Sequence, residues 1–187
     1  FAINKNDAIL GLSNLNFDLS VYDIFGILSV GGKLVLPDPN LVKDPSHWHQ
    51  LLVNHRITIW NTVPMFMQML IEYAESLSSQ LIHKLSNTLR IILLSGDWIP
   101  IDLPKRIHQI FPQARIISLG GATEASIWSI YYEIDPKQEY VNSIPYGFPL
   151  ANQSFYVLDS EGQTKPDGVP GELHIGGQGL AMGYWKD

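Results

Sequence analysis

The sequence contains no cysteine. That excludes disulfides, thiolate zinc sites and a cysteine nucleophile anywhere in its 187 residues, and it fits a cytoplasmic protein. Blocks of basic charge are missing too. Lysine and arginine number 12 against 18 aspartates and glutamates, a net charge of -6, so the electrostatic footprint of a nucleic-acid binder is absent. No apolar run is long enough to span a bilayer. The most membrane-like stretch, residues 57–74, is interrupted by Asn61, Pro64, Gln68 and Glu72 and reads as a strand followed by a helix. Neither nucleic acid nor membrane is an expected partner. The phosphate-loop pattern G-x-x-x-x-G-K-S/T does not occur, and neither Gly31-Gly32 nor Gly176-Gly177-Gln178-Gly179 fits a dinucleotide fingerprint. The chain opens on Phe1 without an initiator methionine and ends on Tyr184-Trp185-Lys186-Asp187 without a polar tail, so it is expected to be a piece of a longer protein.

What is present is an ordinary globular composition, 45% hydrophobic, arranged in alternating strand and helix patterns. Val21, Ile24, Phe25 and Leu28 have helical spacing, with Ser20 and Asp23 placed as a capping pair and Gly31-Gly32 as the stop. Lys33-Leu34-Val35-Leu36 reads as a strand, residues 46–55 as a helix, and Ile57-Thr58-Ile59-Trp60-Asn61 as a second strand. Pro64 can open a helix with Phe66, Leu70, Tyr73 and Leu77 on one face. Residues 89–94 form a continuous apolar run ending in Ser95-Gly96-Asp97, residues 102–111 a helix, and residues 114–119 another buried strand. This alternation predicts an α/β fold with a parallel or mixed sheet flanked by helices. After Pro145 the texture changes to short strands and tight turns around Glu161-Gly162, Asp167-Gly168 and Pro170-Gly171. Residues 1–145 are therefore expected to be the α/β core portion and residues 146–187 the start of a small β-rich subdomain.

The last buried strand delivers Ser118-Leu119-Gly120-Gly121-Ala122-Thr123-Glu124. Paired glycines let the backbone approach a ligand, Thr123 offers a hydroxyl to a phosphate oxygen, and Glu124 offers the hard oxygen that Mg2+ prefers. The plain structural alternative is a strand-ending turn with Thr123 as a helix cap. Ligands of such sheets bind beyond the carboxyl ends of the strands, where Asn61, Ser95 and Gly120-Gly121 are expected to line one crevice. Asp18, between Phe17 and Leu19, is either a solvated cap, which the residues alone favour, or a buried counter-ion. The histidines offer less. His47 and His49 lie two apart on an expected helix, and His55, His83, His108 and His174 have no partner at ligand spacing, so surface or cap roles are expected. Ser95 is not in a nucleophile elbow, because Leu93 stands at the first glycine position. Met65, Met67 and Met69 read as core packing.

Taken together, three segments resemble the adenylation domains of nonribosomal peptide synthetases, within the superfamily of acyl-adenylate-forming enzymes. Phe17-Asp18-Leu19-Ser20 is similar to the motif F-D-x-S, Gly120-Gly121-Ala122-Thr123-Glu124 to Y-G-P-T-E, and residues 171–185 to G-E-L-x-I-x-G-x-G-L-A-x-G-Y-W. The resemblance implies a fragment of the large N-terminal subdomain. It implies ATP-dependent activation of an amino acid as aminoacyl-AMP, then transfer to the phosphopantetheine thiol of a carrier protein, with other synthetase domains as further partners. By the same resemblance, Thr123 and Glu124 are catalytic. Glu124 would bind Mg2+, and Gly96, Gly120, Gly121, Ala122 and Thr123 would bind the nucleotide.

Asp18 would meet the substrate ammonium group, and the amino-acid side chain would meet Leu19, Tyr22, Asn61, Leu93, Ser95, Leu119, Ile127 and Trp128. Read as a string, these positions resemble the code associated with cysteine, and a small apolar wall with weak polar partners suits a thiol. Three positions depart from the family pattern: Gly120 replaces an aromatic residue, Ala122 a proline, and Ser118 an asparagine. Adenine contacts are therefore expected to rely more on backbone and on other walls. The family's upstream phosphate loop, ribose-binding aspartate, hinge and catalytic lysine are not in this segment, so it is expected to be inactive alone. The alternatives are an acyl- or aryl-CoA ligase of the same superfamily, which would have no cation for Asp18, and a degenerate adenylation fold serving as a binding module.

Overall fold

The computed structural model describes residues 1–186; Asp187, the last residue of the expected β-rich portion, lies outside them. Strands β1 (Ala8–Leu10), β2 (Lys33–Val35), β3 (Ile59–Thr62), β4 (Ile91–Ser95), β5 (Arg115–Gly120), β6 (Ile130–Ile134) and β7 (Phe148–Pro149) form one seven-stranded sheet in the order β2-β1-β3-β4-β5-β6-β7. β1 runs parallel to β2 and β3, β3 runs parallel to β4, and β7 is antiparallel to β6. β8 (Gln153–Leu158) and β9 (Glu172–Gly177) make a separate antiparallel pair. The helices are α1 (Leu19–Val21), α2 (Pro45–His55), α3 (Pro64–Glu75), α4 (Ser79–Ser86) and α5 (Leu103–Ile110). The expected α/β class is found, and the sheet, expected to be parallel or mixed, is mostly parallel with an antiparallel edge at β7.

The chain divides into two compact units, Phe1–Ser118 with Glu133–Pro145, and Leu119–Tyr132 with Tyr146–Asp187. In the first, β3 and β4 are buried at every position, which is why their sequences read as unbroken apolar runs. Trp48 of α2 meets Trp60 of β3 edge-on at 5.7 Å and stacks on Phe66 of α3 at 5.3 Å. Each indole N–H has a partner: Trp48 donates to the Val42 carbonyl at 2.8 Å and Trp60 to the Thr62 hydroxyl at 2.7 Å. Those bonds remove the cost of burying both rings completely. At the start of β1 the buried Asp7 carboxylate accepts two hydrogen bonds from the Arg90 guanidinium, both 2.7 Å, and one from the Thr58 hydroxyl. These donors hold the Asp7 carboxyl down at about 2.

Several local expectations need correction. α2 begins at Pro45, one residue earlier than its pattern suggests, because proline costs no hydrogen bond in a first turn, and Asp44 accepts from the Ser46 N–H at 2.8 Å. The buried face of α3 is Met67, Leu70, Ile71 and Ala74, one residue round from the expected stripe, and the helix stops at Glu75, short of Leu77. Met67 is fully buried while Met65 is 58% exposed, so core packing describes only part of that group. His49 is neither surface nor cap: it is buried 5.9 Å from the Tyr73 ring, and burial lowers its pKa. Ser20 and Asp23 do not cap a helix. The chain passes from α1 into a π-helical turn at Tyr22–Gly26, with Asp23 buried. Among the described residues, no helix is long and apolar enough to cross a membrane.

Candidate functional site

In the first unit the parallel register places Asn61 beside Leu93. Neighbours in register share a face and strand positions two apart share a face, so Asn61, Leu93 and Ser95 lie together on one side of β3 and β4. All are buried. The start of the first helix is tied to that side, since the Asn61 amide nitrogen donates to Asp23 Oδ1 at 2.8 Å and reaches the Leu19 carbonyl at 3.5 Å. Leu19 is buried, and Asp18 and Tyr22 are half-buried. Burial pushes the Tyr22 hydroxyl up to about 12. The fold therefore brings Leu19, Asn61, Leu93 and Ser95 together within one unit, and Asp18 and Tyr22 flank Leu19 on the same short helical segment. Asp18 occupies the residue before α1 but has helical rather than extended torsions and makes no side-chain cap bond, which removes the cap reading. Gly96, exposed, follows directly after β4 with φ +82.

Asp23 was missed as a site residue. Its carboxyl is pushed up to about 7, chiefly by desolvation, against hydrogen bonds from Asn61 and Ser13 that favour the charged form. Nothing in the sequence separates it from a capping residue, because Ser-x-x-Asp has the same spelling in both roles. Asn61 Oδ1 is enclosed without a hydrogen-bond partner among the described residues.

In the second unit, Leu119 and Gly120 end β5, and the chain enters a short 3-10 turn, Thr123–Ala125, flanked by Ala122. The turn carries no side-chain cap, so Thr123 is not a helix cap. Gly121, Thr123 and Glu124 are exposed, Ala122 and Ile127 half-buried, Leu119 and Trp128 buried. Ser126 and Ile127 both have positive φ, 63° and 73°. A β-branched residue there is strained by roughly 1–3 kcal/mol, and the strain persists because the neighbouring backbone fixes it. Ser129 N–H donates to the Gly120 carbonyl at 2.8 Å and Trp128 N–H to the Ser126 carbonyl at 2.9 Å. The long motif returns to this turn. Ser126 Oγ donates to the Gly179 carbonyl at 2.7 Å, Ala181 N–H to the Glu124 carbonyl at 2.7 Å, and the Tyr184 hydroxyl to Glu124 Oε1 at 2.6 Å. That last bond lowers the Glu124 pKa and keeps an exposed carboxylate ionised, the hard-oxygen donor that suits Mg2+.

A family model described as "AMP-binding enzyme" matches residues 1–185. The chain belongs to the AMP-binding enzyme family. Along its whole length it is 51% identical to pyochelin synthetase PchF of Pseudomonas aeruginosa (strain UCBPP-PA14) and 50% identical to bacitracin synthase 1 of Bacillus licheniformis. It spans 10% and 3% of those proteins respectively. The crystal structure of the nonribosomal peptide synthetase FmoA3 in its AMPPNP-bound form matches all of the chain with a TM-score of 0.93 at 41% identity, over 20% of that protein. The fold is thus that of a fragment of the N-terminal subdomain of such adenylation enzymes. Within the AMP-binding frame, Tyr184 is the second residue that sequence reasoning left without a role. Its signal was its place in the long motif, but only the fold brings it to Glu124.

Proposed function

We propose that this chain is part of a nonribosomal peptide synthetase adenylation domain that activates an amino acid, cysteine by its side-chain positions, and passes it to a carrier-protein phosphopantetheine thiol. The observation that supports this most is the turn after β5, which presents Thr123 and Glu124 together on a chain that matches the AMP-binding family from end to end. In the reaction a carboxylate oxygen of the amino acid attacks the α-phosphorus of ATP and pyrophosphate leaves; the thiol then takes the acyl group and AMP leaves. The protein's part is positioning and charge neutralisation.

Asp18 pairs with the substrate ammonium, an interaction whose desolvation cost is offset only when the cation arrives. Leu19, Tyr22, Asn61, Leu93 and Ser95 of the first unit meet the side chain, and Leu119, Ile127 and Trp128 of the second carry the same assignment. Gly96, Gly120, Gly121 and Ala122 contact the nucleotide and Thr123 donates to its α-phosphate. Glu124 holds Mg2+, which when bound neutralises phosphate charge. Residues 1–145 as α/β core portion and 146–187 as the start of a β-rich subdomain, together with a cytoplasmic location, belong to the same proposal. ATP–pyrophosphate exchange by the full-length protein tests it. Exchange that depends on an amino acid, with cysteine ahead of serine and valine, is expected; equal or better exchange with serine or valine overturns cysteine, and no exchange with any amino acid overturns the activity.

A further inference from the structure

Gly120 stands where the family resemblance calls for an aromatic side chain, and a ring from elsewhere in the chain fills that space. A Cβ built on Gly120 would fall 2.6 Å from the Tyr146 hydroxyl oxygen and 2.5 Å from Tyr146 Cζ, distances that real Cβ atoms do not reach. A larger residue at position 120 and the Tyr146 ring therefore exclude each other. The placement of the ring is built into the backbone. Gly147 adopts φ +107, and a Cβ there would collide with the Tyr131 carbonyl, so only glycine lets the chain turn at this point. The next two residues are β7, paired with Tyr131 and Ile130 of β6. Leu150 N–H then donates to the Ser129 carbonyl at 2.8 Å, and Ser129 N–H to the Gly120 carbonyl at 2.8 Å. This ladder pins the residue just before Gly147 against Gly120.

Tyr146 itself is 49% exposed and meets Phe155 edge-on at 6.4 Å. An aromatic ring whose hydroxyl end packs over Gly120, and which is half open to solvent, has π surface to offer a flat base. It offers this surface beside the residue that opens the Gly120–Glu124 turn. Resting on the AMP-binding reading of that turn, we propose that Tyr146 is a nucleotide-binding residue whose ring supplies the stacking surface for adenine that Gly120 lacks. Stacking on a side chain is indifferent to which strand carries the ring, provided the face is held in place. The exchange of positions thus keeps one binding function while moving its source along the chain.

The test uses the full-length protein, with ATP titrated calorimetrically and ATP–pyrophosphate exchange measured in parallel. Tyr146→Ala is expected to weaken ATP binding and raise the KM for ATP about tenfold or more, leaving the KM for the amino acid unchanged. Tyr146→Phe, which keeps the ring, should rescue ATP binding to within about twofold of the parent. Gly120→Tyr alone should be the most damaged, and Gly120→Tyr combined with Tyr146→Ala should recover ATP affinity by returning one ring to the contact. Unchanged ATP affinity in Tyr146→Ala overturns the inference, as does a parallel rise in both KM values or a double variant no better than Gly120→Tyr. Failure of the parent protein to bind ATP at all would instead overturn the AMP-binding reading of the turn, and this inference with it.

Discussion

The two units hold their proposed site residues by different means. In the first, Asn61, Leu93 and Ser95 are fixed by burial in a parallel sheet whose core is closed by Trp48 and Trp60. In the second, Thr123 and Glu124 are exposed, and their turn is fixed by strained backbone, by the Ser126 hydroxyl donating to the Gly179 carbonyl, and by hydrogen bonds from Ala181 and Tyr184. A side chain that binds a small apolar group is best held where water is excluded. One that meets a hydrated cation and phosphates has to stay at the surface, so its order comes from the turn.

The contrast breaks first in stability. Trp60→Ala should destabilise the folded protein by about 3–5 kcal/mol, seen as a fall in the denaturant midpoint, because a fully buried indole leaves a cavity and the Thr62 hydroxyl keeps only its bond to the Val63 carbonyl. A destabilisation too small to move the midpoint would show that this core is not what fixes the first unit. Next in size is a pH effect from Asp23. Its folded pKa of about 7 lies above the usual 3.8, so the folded state binds the proton more tightly. The stability this confers is fully present below about pH 4 and is lost as pH rises through 7, at up to about 1.4 kcal/mol per pH unit. Asp23→Asn should flatten that decline, since its neighbours Asn61 and Ser13 are uncharged and Tyr22 stays protonated throughout; thermal melts from pH 4 to 8 decide it.

Asp7 titrates in the opposite sense. Its folded pKa of about 2 lies below 3.8, so its contribution is present above pH 4 and lost as pH falls through 2, and Arg90→Met should remove this acid-side loss. The smallest stability effect is expected in the second unit. Tyr184→Phe should leave the melting temperature unchanged while raising the Mg2+ concentration needed for half-maximal exchange, because the lost bond is exposed yet orients Glu124. A clear fall in melting temperature would mean that the turn is held as the core is held. Asp18→Ala and Glu124→Ala separate the units kinetically: the first should raise the KM for the amino acid, the second the KM for Mg2+–ATP.

How much of this could be read from residue order follows the same division. Strands β3, β4 and β5 were legible because burial on both faces writes a continuous apolar run, and the glycine turn was legible because its residues have few other uses. β1, with three residues, and β6, with exposed and buried positions mixed, carry too little pattern to be seen. α4 lies in a polar stretch, with only Leu85 buried. The expected stripe of α3 marks the half-buried edge, where Phe66 and Tyr73 meet rings of α2, whereas the fully buried face beside it carries Met67 and Ala74. Asp23, Tyr146 and Tyr184 share a deeper reason. Each acts on a residue far away in the chain, or through burial that no local spacing records.

The π-helical turn at Tyr22–Gly26 has a consequence for how this chain can vary. Such a turn accommodates one residue more than the α-helical path it replaces. Deleting one residue within it would restore an α-helix and change which side chains the turn presents, while the residues before and after it, Asp18 and Leu19 included, stayed close to their places. The helix-borne side of the proposed amino-acid site can therefore be refitted by a change in chain length, with the ammonium-binding end preserved. Asn61, Leu93 and Ser95 have no such freedom, because a one-residue slip in a paired strand turns every side chain to the opposite face.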